Sequence, residues 1–373
     1  MRRFATGNRA DLVRCAALLK SAPDDATRKQ FLAGFEAAFR GRSAAALPEK
    51  LLAALTESGP VPLSLRLRRG EPEAIVEALK RLKDSSQDAT ERAELAALLG
   101  ESHPPEALSV FLALFDAPSD ATLRSAALSA LASYDEPVVV EHLLAALPQR
   151  PSGEQIAILS VLVSRADWSK RLVDAVRNAE IDTGIVPADL ARRFDLHGDE
   201  HLTKSVSELW PEATTLRQRS SGDLQALHDT ILASAGDPYR GKRLFSTACG
   251  RCHRLFGEGG DLGPDLTSDP RNDLSRLLGA VAAPSAEIRE GFENFVAITS
   301  DGRVISGLLV DQDEHVVVLR EADGRTVLLR RNDLEELVKQ RKSLMPDGLL
   351  DRLPDDELRD LFAYLRSSQP LNE

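Results

Sequence analysis

Cys249-Gly250-Arg251-Cys252-His253 is the stretch that decides how this chain is read. Cys-x-x-Cys-His is the spacing by which c-type haem is attached. Two thiols about one helical turn apart can each form a thioether to a haem vinyl group. The histidine beside the second thiol then reaches the iron from the proximal side. The other readings are a redox Cys-x-x-Cys pair and half of a zinc site. Zinc usually needs a second Cys or His pair at matched spacing, and the one further cysteine, Cys15, lies far upstream. A thioredoxin-type pair should follow a strand in an α/β pattern, whereas these flanks are helical in pattern. One covalent haem c on Cys249, Cys252 and His253 is therefore the expected cofactor.

Haem iron in electron-transfer cytochromes is commonly held by His and Met. The chain has two methionines, Met1 and Met345. Met345 stands in Ser343-Leu344-Met345-Pro346, just before the last helical segment. A lone Met is often core filler, but this placement between the haem motif and the closing helix makes it the expected second iron ligand. His315 is the histidine that would compete. It falls beside Glu314 in an inferred hairpin, where exposure is expected.

The chain has 373 residues, enough for two or three domains, and 47 basic against 58 acidic residues give a net charge of −11. That balance argues against nucleic acid as a main partner. No apolar run approaches the ~18 residues of a membrane span. Haem would consume two of the three cysteines, so no disulfide framework is expected. Covalent haem attachment normally takes place outside the bacterial cytoplasm, so a periplasmic or otherwise exported protein is expected. The start, Met1-Arg2-Arg3-Phe4-Ala5-Thr6-Gly7-Asn8, is positive but lacks the apolar core of ~7–15 residues that a signal peptide needs. The chain is thus expected to be a piece of a longer exported protein.

Residues 1–235 read as helix after helix. Leu12, Cys15, Ala16 and Leu19 follow the spacing of one apolar face, which makes Cys15 a small core residue. Helix starts recur near residues 73, 105, 137 and 168, with second helices at 121–133 and 154–164. A helix pair repeated at this interval points to an α-solenoid, and the pattern resembles HEAT repeats. An irregular helical bundle is the alternative. The default role of such a region is a scaffold or docking surface. His103, His142, His197, His201 and His228 form no spaced ligand set and are read as structural or solvated. Trp168 and Trp210 are expected to anchor the core. Residues 214–234 are helical in pattern with a break at Ser220-Ser221-Gly222.

Residues 236–373 form the expected haem domain. Asp237-Pro238 is a helix start, with an N-cap followed by proline at the first position. The helix carries Gly241, Leu244, Phe245 and Ala248 and delivers Cys249. After His253 comes a glycine-rich run, Gly257 to Leu266, able to fold closely under a flat macrocycle. Helices follow at 272–281 and 355–366. Taken together, Gly241, Phe245, the Cys-His motif, Gly263-Pro264-Asp265-Leu266, Met345-Pro346 and Tyr364-Leu365 resemble class I cytochrome c. The resemblance implies that the first and last helices cross through the glycine and aromatic positions. It also implies that the Pro264 carbonyl accepts a hydrogen bond from His253. No tryptophan occurs in residues 236–373 to hold a haem propionate. Arg271, Arg276 and Tyr239 are the candidate replacements.

Cys252 and Met345 are far apart for a small class I domain. Most of the excess is a β-rich insert at residues 290–340. Alternating runs at 292–299, 304–310, 315–319 and 326–329 are joined by Asp301-Gly302 and Asp323-Gly324, the best short hairpin signal. A small SH3-like or Sm-like β-barrel is expected. With this insert, and with Ile288-Arg289-Glu290-Gly291-Phe292 and Ser343 to Leu349, the chain resembles the haem-binding domain family of planctomycete- and verrucomicrobium-type bacteria. Members of that family are often fused behind a propeller-type dehydrogenase and helical repeats. The fold class expected is thus mainly α: a HEAT-like solenoid, then a class I cytochrome c domain carrying a small barrel. The expected function is electron transfer, from a dehydrogenase donor to a downstream acceptor, rather than catalysis. The alternatives are a ligand-open haem enzyme or gas sensor, and a helical scaffold with a vestigial haem motif.

Overall fold

The computed structural model describes residues 1–5, 9–39, 47–57, 61–117, 120–214, 221–351 and 353–371. Thr6, Gly7, Asn8 and Ser220, named in the readings above, lie outside them. The described chain divides into two compact units. One is Met1–Gln149 with Glu314–Val316 and Leu328–Arg331; the other is Arg150–Asp313 with Val317–Val327 and Asn332–Glu373.

In the first unit, helices Pro72–Lys83, Ala89–Ser102, Leu108–Asp116, Ala121–Leu131 and Pro137–Ala146 follow one another along the chain. Pro72 and Pro137 open their helices, and Pro105 opens the 3-10 turn that leads into Leu108. Proline suits the first position because its missing N–H would have had no partner there. The intervening helices start differently: the Asp88 and Asp120 carboxylates accept from the N–H groups of Thr90 and Thr122 at 2.9 and 2.8 Å. Gly100 fits against Ala130; a Cβ there would lie 3.0 Å from the Ala130 Cβ. Tyr134 donates from its hydroxyl to the Pro104 carbonyl at 2.9 Å, and burial raises its pKa. Near the N-terminus Cys15, Ala16 and Leu19 are buried, with Leu12 packed beside them.

The second unit begins with helices Ser152–Leu162 and Ala166–Arg177 and continues through Arg192–His197, Glu200–Leu209 and Ser221–Leu232. Trp168 and Trp210 are buried, and the Trp210 Nε1–H donates to the Thr183 carbonyl at 3.1 Å. His197 faces the Val163 carbonyl at 2.9 Å, and burial pushes its pKa down.

The insert forms a five-stranded antiparallel sheet: β1 (Asn294–Thr299), β2 (Val304–Gln312), β3 (Val316–Glu321), β4 (Thr326–Arg330) and β5 (Leu334–Lys339). The order is β4-β3-β2-β1-β5. Gly302 and Gly324 take φ of +80° and +86°, the left-handed conformation that the two Asp-Gly turns require. The sheet is open, not the closed barrel expected. A 3-10 turn at Arg331–Asp333 carries the chain from β4 to the far side of β1, where β5 pairs. That leaves β4 and β5 as opposite edges, and no ladder joins them among the described residues. The charged sequence of β5 suits an edge.

Two arginine networks fix this sheet to the helices of its own unit. The Val304 N–H donates to the Ser164 carbonyl at 2.6 Å, beside a bridge between Arg165 and Arg303. The Arg165 guanidinium lies over the Trp168 ring and donates to the carbonyl and carboxylate of Asp301 at 2.6 and 2.9 Å. Burial would push the Asp301 carboxyl up, but Arg303, the Thr299 hydroxyl and Arg165 outweigh it and hold it below the usual range. Second, Glu321 accepts from Arg193 at 3.0 Å and from Arg325 at 2.7 Å, while Arg325 also holds Asp323 at 2.6 Å. The Arg193 and Glu321 side chains are 11% and 3% exposed, so removing one partner strands a charge away from water.

Glu321→Ala is expected to destabilise the second unit by about 3–5 kcal/mol, the cost of breaking a buried pair, read as a lower urea midpoint. An unchanged midpoint would show the remaining charges to be solvated. Asp301 supplies a pH dependence. Its folded pKa is depressed, so its contribution is present above the unfolded value of about 3.9 and disappears as pH falls through the folded one. Asp301→Asn is expected to unfold at lower stability near neutral pH, with a shallower loss below pH about 4 than the native chain.

Candidate haem site

Three helices frame the Cys-His motif: α1 (Pro238–Ala248), α2 (Leu274–Ala282) and α3 (Asp355–Leu365). The Asp237 carboxylate caps α1, accepting from the Tyr239 N–H at 2.9 Å. α1 packs on α3 at Gly241, where a Cβ would lie 1.9 Å from the Asp360 carbonyl oxygen and 2.9 Å from the Tyr364 Cβ. Only glycine permits that approach. One turn on, Phe245 meets Tyr364 edge to face at 5.4 Å. Asp360, buried in α3, accepts from the Asp237 N–H at 2.6 Å and pairs with Arg240 at 2.9 Å. An acidic residue one place from the apolar stripe of α3 gives little sign of this in the sequence.

The helix delivers the motif as a tight turn. The Gly250 N–H donates to the Phe245 carbonyl at 2.6 Å, and the N–H groups of Cys252 and His253 both donate to the Cys249 carbonyl, at 3.0 and 2.8 Å. Neither cysteine is in a disulfide. Burial, aided by the Cys252 thiol, pushes Cys249 up to about 11, so it is a thiol rather than a thiolate at neutral pH.

The glycine-rich run folds back over that turn. Phe256 and Gly257, at φ +55° and +83°, reverse the chain in a short ladder pairing Arg254 with Gly259. A Cβ on Gly259 would lie 2.2 Å from the His253 carbonyl oxygen, and one on Gly260 would lie 2.1 Å from that of Arg251. Two N–H groups, of Gly260 and Gly263, donate to the carbonyls of Gly250 and Cys252, each at 2.8 Å. The glycines therefore serve close approach to the turn's own backbone. A Cβ on Gly263 would lie 2.6 Å from His253 Cε1 and 2.7 Å from Nδ1, so this glycine lies directly against the imidazole.

His253 Nδ1 lies 3.0 Å from the Pro264 carbonyl oxygen. A carbonyl can only accept, so Nδ1 carries the hydrogen and the Nε2 lone pair is left for a metal. Leu244, Cys249, Phe256, Leu266, Leu277 and Val281 line the apolar cluster built on Phe245, Leu255, Leu278, Leu358 and Phe362. Haem fits this donor set. Two unoxidised thiols at the attachment spacing, an imidazole with Nε2 unengaged and apolar walls are what a covalently tethered porphyrin needs.

Met345 is half-buried in the loop between β5 and α3. Its N–H donates to the Ser343 hydroxyl at 3.1 Å, and the Ser343 N–H donates to the Ser285 hydroxyl at 3.1 Å. Those two serines tie the loop to the segment after α2. His315 is 42% exposed with Nε2 3.3 Å from Glu314. Arg271 is engaged elsewhere: one terminal nitrogen donates to the carbonyls of Leu365 and Ser367 at 2.7 and 2.8 Å, and its guanidinium lies over the Phe256 ring at 4.9 Å. It thus satisfies the C-terminal carbonyls of α3, where a cation also complements the helix dipole. Arg276 and Tyr239 are exposed.

Gly263→Ala should push the imidazole off its position while leaving the two cysteines in place. Material matured with the haem-attachment machinery is expected to keep covalent haem but lose low-spin character. A spectrum identical to the native one would show that the imidazole does not depend on this contact.

Residues 73–162 match the family model for HEAT repeats, and residues 239–313 match that for cytochrome c. No curated protein matches the chain. The chain thus joins a helical N-terminal region that matches HEAT repeats to a C-terminal cytochrome c domain.

Proposed function

We propose that the chain is an electron carrier built on one haem c, with residues 236–373 as the redox domain and residues 1–235 as the helical region before it. Cys249 and Cys252 would tether the group, His253 and Met345 would hold its iron, and Pro264 would orient His253. The observation that carries this reading is the His253–Pro264 contact at 3.0 Å, which fixes the imidazole with Nε2 available beside two cysteines that are in no disulfide. Haem c, when bound, supplies a one-electron couple, and a methionine ligand raises its potential.

The chain's own residues do the rest. Pro264 holds the proton on Nδ1, Gly263 and the apolar walls fix the ring and exclude water, and the Ser343–Ser285 contacts position Met345. If His253 and Met345 both hold the iron, no position would be left for a substrate, which makes electron transfer to and from partner proteins the proposed role. The cytochrome c domain implies a redox partner. The donor proposed is a dehydrogenase module and the acceptor a further carrier. The protein is proposed to be periplasmic or otherwise exported, since that is where such attachment occurs. No helix among the described residues is long and apolar enough to cross a membrane.

The reduced-minus-oxidised absorption spectrum tests this reading. A low-spin spectrum indifferent to carbon monoxide is expected of the native protein. Met345→Ala is expected to give a reduced form that is high-spin and binds carbon monoxide. A native protein that already binds carbon monoxide would favour a sensor or enzyme and end the carrier reading.

A further inference from the structure

The β insert reaches the loop that holds the proximal histidine. Arg320, in β3, meets the Asp261 carboxylate at 3.2 Å. Asp261 stands two residues before Gly263, which lies against the His253 ring, and three before Pro264, whose carbonyl receives the Nδ1 hydrogen. The N–H groups of Gly260 and Gly263 tie the same loop to the Cys-His turn. Asp261 falls between those two bonds, so a pull on its side chain passes to the backbone that carries Gly263 and Pro264.

Arg320 has a firm base. Successive strand residues point to opposite faces, and the next residue, Glu321, is locked to Arg193 and Arg325. Across the ladder, a Cβ on Gly307 would lie 2.5 Å from the Arg320 carbonyl oxygen, so β2 presses on the backbone at that point. The sheet also anchors the loop that bears Met345. Past β5 the Gln340 N–H donates to the Asn294 carbonyl at the root of β1, at 2.8 Å, and the Ser343–Ser285 contact follows three residues on. Side chains 72% and 28% exposed, as Asp261 and Arg320 are, form an ion pair that adds little stability. What the pair fixes is where the loop stands.

We propose that the β insert braces the two loops that would supply the iron's ligands, and that Arg320 is a positioning residue which, through Asp261, helps to set the potential of the haem. The proposal rests on the haem reading above. An Nδ1–H held firmly on the Pro264 carbonyl makes the imidazole a more basic ligand, and a more basic ligand favours ferric iron. Releasing Asp261 loosens that hydrogen bond and raises the potential.

The potential of the matured holo-protein, read by equilibration with mediators of known potential, tests this. Arg320→Gln and Asp261→Asn are each expected to shift the equilibrium several-fold toward ferrous haem with the low-spin spectrum kept. The double variant should shift it no further than either alone, because both changes remove one contact. Charge by itself gives a different pattern: loss of the cation lowers the potential, loss of the anion raises it, and the two cancel in the double variant. That pattern, or an unaltered potential in Arg320→Gln, overturns the proposal and leaves the haem reading intact. Should Arg320→Gln fail to take up haem, the exchanged pair Arg320→Asp with Asp261→Arg decides. A near-native potential there supports the brace, and one displaced as far as in Asp261→Asn overturns it. A colourless native preparation defeats the haem reading and this proposal together, and its lack of pigment tells it apart from the other failures.

Discussion

The imidazole of His253 is held on two sides by one short piece of chain. Gly263 lies flat against the ring, and the next residue, Pro264, presents its carbonyl to Nδ1 at 3.0 Å. That arrangement requires the chain to return within contact of the Cys249–His253 turn, and the return is possible only where side chains are missing. Gly259 and Gly260 pass within a Cβ's reach of the carbonyls of His253 and Arg251, and the N–H groups of Gly260 and Gly263 satisfy carbonyls that the turn leaves open. The glycine run is thus a template for the histidine, and the same crowding explains Gly241 under Asp360.

The β insert raises a different physical question: what besides its buried apolar residues, such as Val296, Ile305, Val317 and Leu319, ties a small open sheet to the helices. Within its unit part of the answer is paired charge, buried at Glu321 and half-open to water at Asp301. Arg165 and Arg193 reach from the helical segment to Asp301 and Glu321 on the sheet, and Arg303 and Arg325 complete each network from the sheet side. Such networks add little net stability compared with apolar packing, but removing one buried partner strands the charge of the other. The aspartates of the two Asp-Gly turns take part, so residues chosen for turn geometry also bind the sheet to its neighbours.

Much of this was legible in the residues and some was not. Proline starts and 32-residue spacing marked the helical pairs, because proline at a helix start has a local cause. The strands were legible from alternation and from Asp-Gly turns, yet the sheet stays open where a barrel was expected. Closure depends on where the edges end up after the 3-10 turn at Arg331–Asp333, which alternation does not encode. The Cys-His spacing and the Gly-Pro run placed the site, but the glycines turned out to serve backbone approach to the motif itself. Arg271, by residue type a candidate for a propionate, caps the end of α3. Asp360 is not legible in the sequence, since one acid beside an apolar stripe has no distinctive spacing.

The central claim is a porphyrin joined to this chain through two sulfurs. Mass spectrometry of protein matured with the haem-attachment machinery, denatured and then digested, addresses it directly. The account predicts one peptide spanning Cys249 to His253 that carries the mass of one haem, with neither thiol open to alkylation. A peptide of unmodified mass that takes up two alkyl groups would contradict it.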